Sequence, residues 1–173
     1  MMKTKMNEKQ VMADAEIQLV LFTIGGEKYA IDIMKTKEII KPIKVTPLPD
    51  VPEFIKGVIN LRGMLIPVVS MRERFGISSD NEKTDSPDTR VIIIVLKKII
   101  VGIVVDSVEE IMRLPLKDVQ PPPRIASGID SEYIKGMCRI GEEALVLLDM
   151  GKILSGAEKV MMEKLAVKGS KKV

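Results

Sequence analysis

Histidine and tryptophan are absent from the 173 residues, and there is one cysteine. Without histidine the chain lacks the commonest general base, the usual nitrogen ligand for metals and the side chain that titrates near neutrality. Histidine-dependent catalysis is excluded. The single cysteine, Cys138, rules out an intrachain disulfide and a thiolate metal cluster. Within the run from Met137 to Ile140 it reads as a small buried apolar residue of a strand, with no neighbouring base to activate it. Aromatic residues make up only 3%. The interior must therefore be built from Ile, Val, Leu and Met, which favours strands where the branched residues cluster. Long apolar runs are missing too: Val91 to Leu96 and Ile99 to Val105, split by Lys97-Lys98, fall far short of the ~20 residues a membrane helix needs. No membrane insertion is expected. The N-terminus alternates Lys, Glu and Met without a signal-peptide core, which predicts a cytoplasmic chain.

What is present is a hydrophobic fraction of 46%, enough for one domain or two small lobes sharing a core. The formal charge of +3 invites a nucleic-acid reading, yet it sits in the wrong place. Residues 1–15 carry +1 and residues 156–173 carry +3, leaving −1 for residues 16–155. A nucleic-acid module carries its positive charge on the fold. A small β-barrel binding nucleic acid through lysine tails is the competing reading, weakened further by three Phe and two Tyr, too few for a stacking platform.

Read in order, residues 1–15 form a flexible polar tail. From Gln18 the run LVLFTI, the turn Gly25-Gly26-Glu27-Lys28 and the run YAIDI predict a hairpin. A strand is predicted over Lys37 to Ile40, after which Pro42, Pro47, Pro49 and Pro52 allow only a connector. Residues 78–90 hold no apolar side chain and mark a mobile loop between two halves. The runs VIIIVL and IIVGIVV are apolar at every position, so they are expected to be buried on both faces. Pro115, Pro121, Pro122 and Pro123 form a second connector. A short amphipathic helix using Val160, Met161, Lys164, Leu165 and Val167 ends the chain, followed by a basic tail.

The halves repeat. At an offset of 79, Phe54-Ile55-Lys56-Gly57 lies over Tyr133-Ile134-Lys135-Gly136, and Ile66 to Val69 over Leu145 to Leu148. At an offset of 72, Ala30-Ile31 lies over Gly102-Ile103 and Glu38-Ile39 over Glu110-Ile111. Short antiparallel strands in duplicate predict two small barrels, an all-β fold. Gly57 and Gly136, shared by both halves, are read as scaffold: special backbone angles or a close strand approach. The turn Asn60-Leu61-Arg62-Gly63 has no counterpart, because Arg62 lies opposite Gly141. Arg62 is therefore a functional candidate, and Glu38 is weighed beside it in case the two pair. An exposed pair of this kind contributes only ~0–1 kcal/mol, too little to need a stability role. The paired carboxylates Glu109-Glu110 and Glu142-Glu143 do not converge, since neighbours on a strand point to opposite faces; they read as solvated charges.

The ordered residues Phe54-Ile55-Lys56-Gly57, Asn60-Leu61-Arg62-Gly63, Ile66-Pro67-Val68-Val69 and Met71-Arg72 resemble the signature of the CheW family of chemotaxis adaptors. The likeness extends upstream through Phe22-Thr23, Tyr29, Ile31-Asp32-Ile33 and Glu38-Ile39, and downstream through Val101-Gly102 and Val104-Val105-Asp106, covering roughly residues 17–155. It implies two intertwined five-stranded Src homology 3-like β-barrels with a short C-terminal helix. It implies one domain over residues 16–155, with a lobe over about 16–77 and another over about 90–155, and residues 156–173 as helix and tail. It also implies a non-enzymatic adaptor, without cofactor or metal, that couples the tips of methyl-accepting chemoreceptors to the regulatory domain of the histidine kinase CheA. The expected setting is cytoplasmic, at receptor arrays, with contacts between adaptor copies possible there. By the resemblance, Glu38, Asn60, Arg62 and Ile92 belong to the receptor-facing surface, and Val20, Ile33, Thr36 and Val108 to the edge that meets the kinase.

Overall fold

The computed structural model describes residues 15–77, 86–122, 131–155, 158–159 and 161–165. The first hairpin joins β1 (Glu16–Ile24) to β2 (Glu27–Asp32), turning at Gly25 and Gly26 with φ of 61° and 81°. A single 3-10 turn, Ile33–Lys35, leads into β3 (Thr36–Ile40). After the first proline connector come β4 (Ile55–Leu61), β5 (Met64–Ser70) and the one-turn helix α1 (Met71–Arg74). The second half repeats the plan with β6 (Arg90–Leu96), β7 (Ile99–Val105), β8 (Ser107–Pro115), β9 (Ile134–Ile140), β10 (Glu143–Leu148) and α2 (Met150–Ile153). The duplication is visible residue by residue: β4 and β9 begin and end 79 residues apart, as do α1 and α2.

The strands form two five-stranded sheets in the orders β8-β1-β2-β10-β9 and β3-β6-β7-β5-β4. One order is the other with the copies exchanged. Each sheet draws strands from both halves, so the expected lobes over 16–77 and 90–155 do not describe the sheets. Four pairings cross between the halves: β1 with β8 and β3 with β6 antiparallel, β2 with β10 and β5 with β7 parallel. No ladder among the described residues closes either sheet, but each bends around its own apolar cluster. Ile40 on the edge strand β3 shares a cluster with Ile59 and Leu61 on the opposite edge β4. Met112 and Leu114 on β8 share another with Cys138 and Ile140 on β9.

A third and larger cluster lies between the sheets. In β6, Val91 and Ile93 point into their own sheet's cluster, while Ile92, Ile94 and Leu96 point into the shared one. Burial on both faces is why this strand is apolar from Val91 onward. The helical residues 161–165 cover the shared cluster: Met162 is buried in it, and Met161 and Leu165 pack against it. Of the other residues expected in that helix, Val160 and Val167 lie outside the described residues, as do 1–14 and most of the polar loop.

Gly57 earns its place in the fold by contact. A Cβ there would sit 2.0 Å from the Thr46 carbonyl oxygen, because the first connector crosses β4 and bonds to Val58 in both directions. Gly136 is crossed in the same way by Val119 and Gln120. Lys56 and Lys135, one residue earlier, are the skipped residues of equivalent β-bulges. Arg74 ties the two copies together. Its guanidinium lies 4.6 Å from the Phe54 ring and 5.4 Å from the Tyr133 ring, the same position of each repeat. It also donates to the Ile153 carbonyl at 2.8 Å and to the Glu158 carboxylate at 3.0 Å.

Candidate functional site

The β4–β5 turn is a two-residue hairpin turn with a large side chain at its tip, as is the β6–β7 turn, where Lys97 takes φ of 51°. Arg62 and Gly63 both take positive φ, 52° and 85°, the twist that a two-residue hairpin turn requires. Asn60 Oδ1 accepts the Gly63 N–H at 2.9 Å and so holds the turn from within. For arginine the left-handed region is a strained choice. The equivalent residue of the second copy, Gly141, takes φ of 61° without that cost.

The Arg62 side chain is 68% exposed, and its Nη2 donates to the carboxylate of Glu38 on β3. Glu38 is better covered, at 26% exposed, and so serves as the fixed member of the pair. Turn and edge strand stand at opposite ends of the sheet order and meet only because the sheet bends. The structure thus brings Glu38, Asn60 and Arg62 together: Asn60 shapes the turn, Glu38 orients the guanidinium, and Arg62 presents it to solvent. Such an arrangement offers a planar cation to a carboxylate or carbonyl.

Ile92 does not join them. Its side chain is 0% exposed, and it pairs with Ile39 on one side and Ile103 on the other. Val20 is likewise 0% exposed, between Ile31 and Ile111. These expectations are corrected: Val20 and Ile92 are the same position of the two copies, 72 residues apart, and both fill the core between the sheets. Ile33, Thr36 and Val108 are half-buried and keep surface. Ile33 and Val108 pack against the shared core, and the Thr36 hydroxyl oxygen is buried with no hydrogen-bond partner among the described residues. Thr36 and Val108 are again equivalent, each beside a bulge in an edge strand, at Lys37 and Glu109. Bulged edges resist indiscriminate pairing with other strands.

Sequence reasoning passed over the exposed apolar residues near this site. Met64 follows the Arg62-Gly63 turn, and Ile39 follows Glu38 on the edge strand; both are exposed, as is Ile111, the equivalent of Ile39 on β8. Apolar residues in strands had every reason to be placed in the core. For Ile39 and Ile111 the separating signal is position on an edge strand, next to a charge on the opposite face; for Met64 it is position directly after the turn. The carboxylate pairs behave as solvated charges: Glu109 and Glu143, one from each pair, converge on Lys28 at 3.3 and 2.7 Å. Their hydrogen bonds raise the Lys28 pKa above its ordinary value. Cys138 is buried, and burial pushes its thiol up, away from the reactive thiolate.

These features have known counterparts. The family model described as "CheW-like domain" matches residues 18–158. The chain is 37% identical over 152 residues to the chemotaxis protein CheW of Klebsiella aerogenes, spanning 86% of this chain and 88% of that one. It is 36% identical over 154 residues to the chemotaxis protein CheW of Treponema pallidum, spanning 88% and 89%. Among solved structures, the scaffolding protein TtCheW of Thermoanaerobacter tengcongensis matches with a TM-score of 0.74 at 30% identity, over 82% of this chain and 89% of that one. With sequence and fold agreeing over most of its length, the chain belongs to the CheW-like domain family, whose members are chemotaxis scaffolds that act by binding and not by catalysis.

Proposed function

We propose that this chain bridges chemoreceptors to the kinase CheA, using two separate parts of its surface. The receptor's helical hairpin meets the corner formed by Glu38, Asn60 and Arg62, with Arg62 as the contact and the other two holding it. The kinase regulatory domain meets Ile33 and Thr36, just before and at the start of β3, and Val108 on β8, the two being edge strands of the two sheets, and the exposed edges also suit a second copy of the adaptor. On this reading residues 16–155 are the working unit, each sheet curls as a Src homology 3-like barrel, no cofactor takes part, and the protein works in the cytoplasm at receptor arrays.

One observation carries the reading: arginine occupies a backbone conformation that favours glycine, where the other copy of the same turn has glycine. An exposed ion pair contributes too little to stability to account for that choice. Binding does account for it. Absent catalysis, the mechanism is geometric: two rigid sheets fix the distance and angle between two docking surfaces, so a change in one bound partner is felt by the other.

The test uses the purified chain, a soluble receptor signalling-tip hairpin and the kinase regulatory domain, mixed pairwise and together, with complexes sized by sedimentation velocity. Both binary complexes and a complex of all three are expected. Mutually exclusive binding would overturn the bridge even if each binary complex formed.

A further inference from the structure

The two copies share a backbone plan but differ in what fills one corner. In the first copy Arg72, the second residue of α1, makes a two-pronged ion pair with Asp106, Nε and Nη2 each 2.8 Å from a carboxylate oxygen. Asp106 Oδ2 also accepts the Gly25 N–H at 2.8 Å, and Ile77 lies over Gly25. The corner is filled. In the second copy the equivalent residues are Gly151, 79 positions after Arg72, and Met34, 72 positions before Asp106. Neither can form the pair, and Met34 is 84% exposed.

A cleft of about 300 Å³ opens there, between the β6–β7 turn, the end of β10 and the C-terminal helical residues. Its floor is apolar, made by Leu96, Ile99, Leu148 and Met150. Five lysines stand around it: Lys35, Lys97, Lys98, Lys135 and Lys159. Three carboxylates, Asp32, Asp149 and Glu163, stand among them, so the lining keeps an excess of positive charge; Asp32 accepts the Met34 N–H at 2.9 Å and Asp149 the Gly151 N–H at 3.0 Å. None of the five lysines is ion-paired among the described residues.

We propose that this cleft is a binding site for a small anionic amphiphile, of which a medium-chain carboxylate is the simplest example. The volume is at the lower end of small-ligand sites, the floor takes an alkyl chain, and the lysines take its head. Flexible ammonium groups on long stems suit an anion that arrives in more than one pose. The first copy cannot bind such a ligand, because Arg72 and Asp106 already occupy the place.

The full chain, labelled at its methionine methyls, is titrated with octanoate, hexanoate and octan-1-ol, and the Met150 resonance is followed by NMR. Octanoate should shift that resonance saturably. Hexanoate, with two fewer methylenes at about fourfold each, should bind about 15-fold more weakly. Octan-1-ol should also bind about tenfold more weakly at low salt, with the gap closing at ~1 M salt, where screening reaches within about 3 Å. Lys97→Glu with Lys98→Glu, on an exposed turn, should erase the preference for the carboxylate and leave the thermal melt unchanged. Met34→Asp with Gly151→Arg copies the first corner into the second and should abolish binding of all three ligands. The nearest atom to a Cβ at Gly151 is Asp149 Oδ1 at 3.3 Å, a side-chain oxygen that must shift by a few tenths of an ångström to admit the change. If that variant fails to fold, the lysine pair decides. Equal affinity for octanoate and octan-1-ol, binding that survives the filled corner, or a Met150 resonance that never moves would each overturn the proposal. So would a Met150 shift produced only by an acidic peptide, which would assign the cleft to a protein partner.

Discussion

Replacing Arg62 by Asn turns the β4–β5 loop into an Asn-Gly turn, the sequence that best suits two consecutive positive φ angles. The energy balance can be worked from the structure. Arg62 holds φ of 52°, and relieving an ordinary side chain of the left-handed region gains about 0.5–1 kcal/mol when asparagine takes its place. The ion pair with Glu38 is lost, but Arg62 is 68% exposed, so that loss is about 0–1 kcal/mol. The net change lies near zero, within about 1 kcal/mol either way. For a chain of 173 residues this means a melting temperature within about 3 °C of the parent. Binding of the receptor hairpin should behave differently, since truncating one partner of an interfacial charged contact costs about 2 kcal/mol or more, roughly 30-fold in Kd. Scanning calorimetry and titration calorimetry on the same preparation read the two quantities. A melt lowered by more than about 5 °C would make Arg62 a structural residue, and unchanged affinity at an unchanged melt would remove it from the interface. Either result refutes the reasoning from backbone strain to function.

Three further outcomes test the scaffold. Arg74→Leu should lower stability by about 3 kcal/mol, from two cation–π contacts and hydrogen bonds to a carbonyl and a carboxylate, and Arg74→Lys should recover little because an ammonium cannot span them all; urea melts give the number. Gly57→Ala should cost more than about 3 kcal/mol, since the new Cβ meets the Thr46 carbonyl, whereas Gly26→Ala, with nothing within 4 Å, should cost about 1 kcal/mol; near-equal losses in thermal melts would show that the crossing connector simply moves aside. Cys138 should react with iodoacetamide at pH 8 more than tenfold slower in the folded chain than in urea, because burial blocks access and holds the thiol neutral above its ordinary range. The same shift makes folding favour the protonated thiol. Its contribution to stability is complete below the unfolded thiol's pKa and declines as pH rises above it.

Much of the framework is legible from residues close in sequence. The double glycine at 25–26 announces the first hairpin, and the 79-residue offset lays β9, β10 and α2 over β4, β5 and α1 before any contact is known. What cannot be read this way is the exchange of strands. The parallel pairings of β2 with β10 and β5 with β7 join residues far apart in the chain, and no local pattern encodes which distant apolar run a strand will choose. Val20 and Ile92 show a second limit. In a strand buried on both faces the alternation that separates inside from outside disappears, so resemblance alone placed them on a surface. Arg74 shows a third: a charged residue on a one-turn helix looks solvated, and only folding brings Phe54 and Tyr133 to either side of it. Arg62 stood out for a different reason: its signal is a mismatch between copies, Arg62 against Gly141, which needs no knowledge of the fold.

That mismatch is one of three with the same form. Arg62, Arg72 and Arg74 lie in the first copy where the second has Gly141, Gly151 and Ile153. The backbone takes the same path in both copies, so none of these arginines is needed to form its local element. They differ instead in what they do to the symmetry of the whole. A two-fold symmetric pair of sheets would present the same edge and the same corner twice, and two unlike partners would compete for both. On the proposed reading Arg62 marks one corner for a partner; Arg72 fills one corner and leaves its twin open, and Arg74 spans the equivalent rings of the two copies. A scaffold that holds two different proteins, as proposed, needs such differences, and three of them here are guanidinium groups on a frame largely doubled.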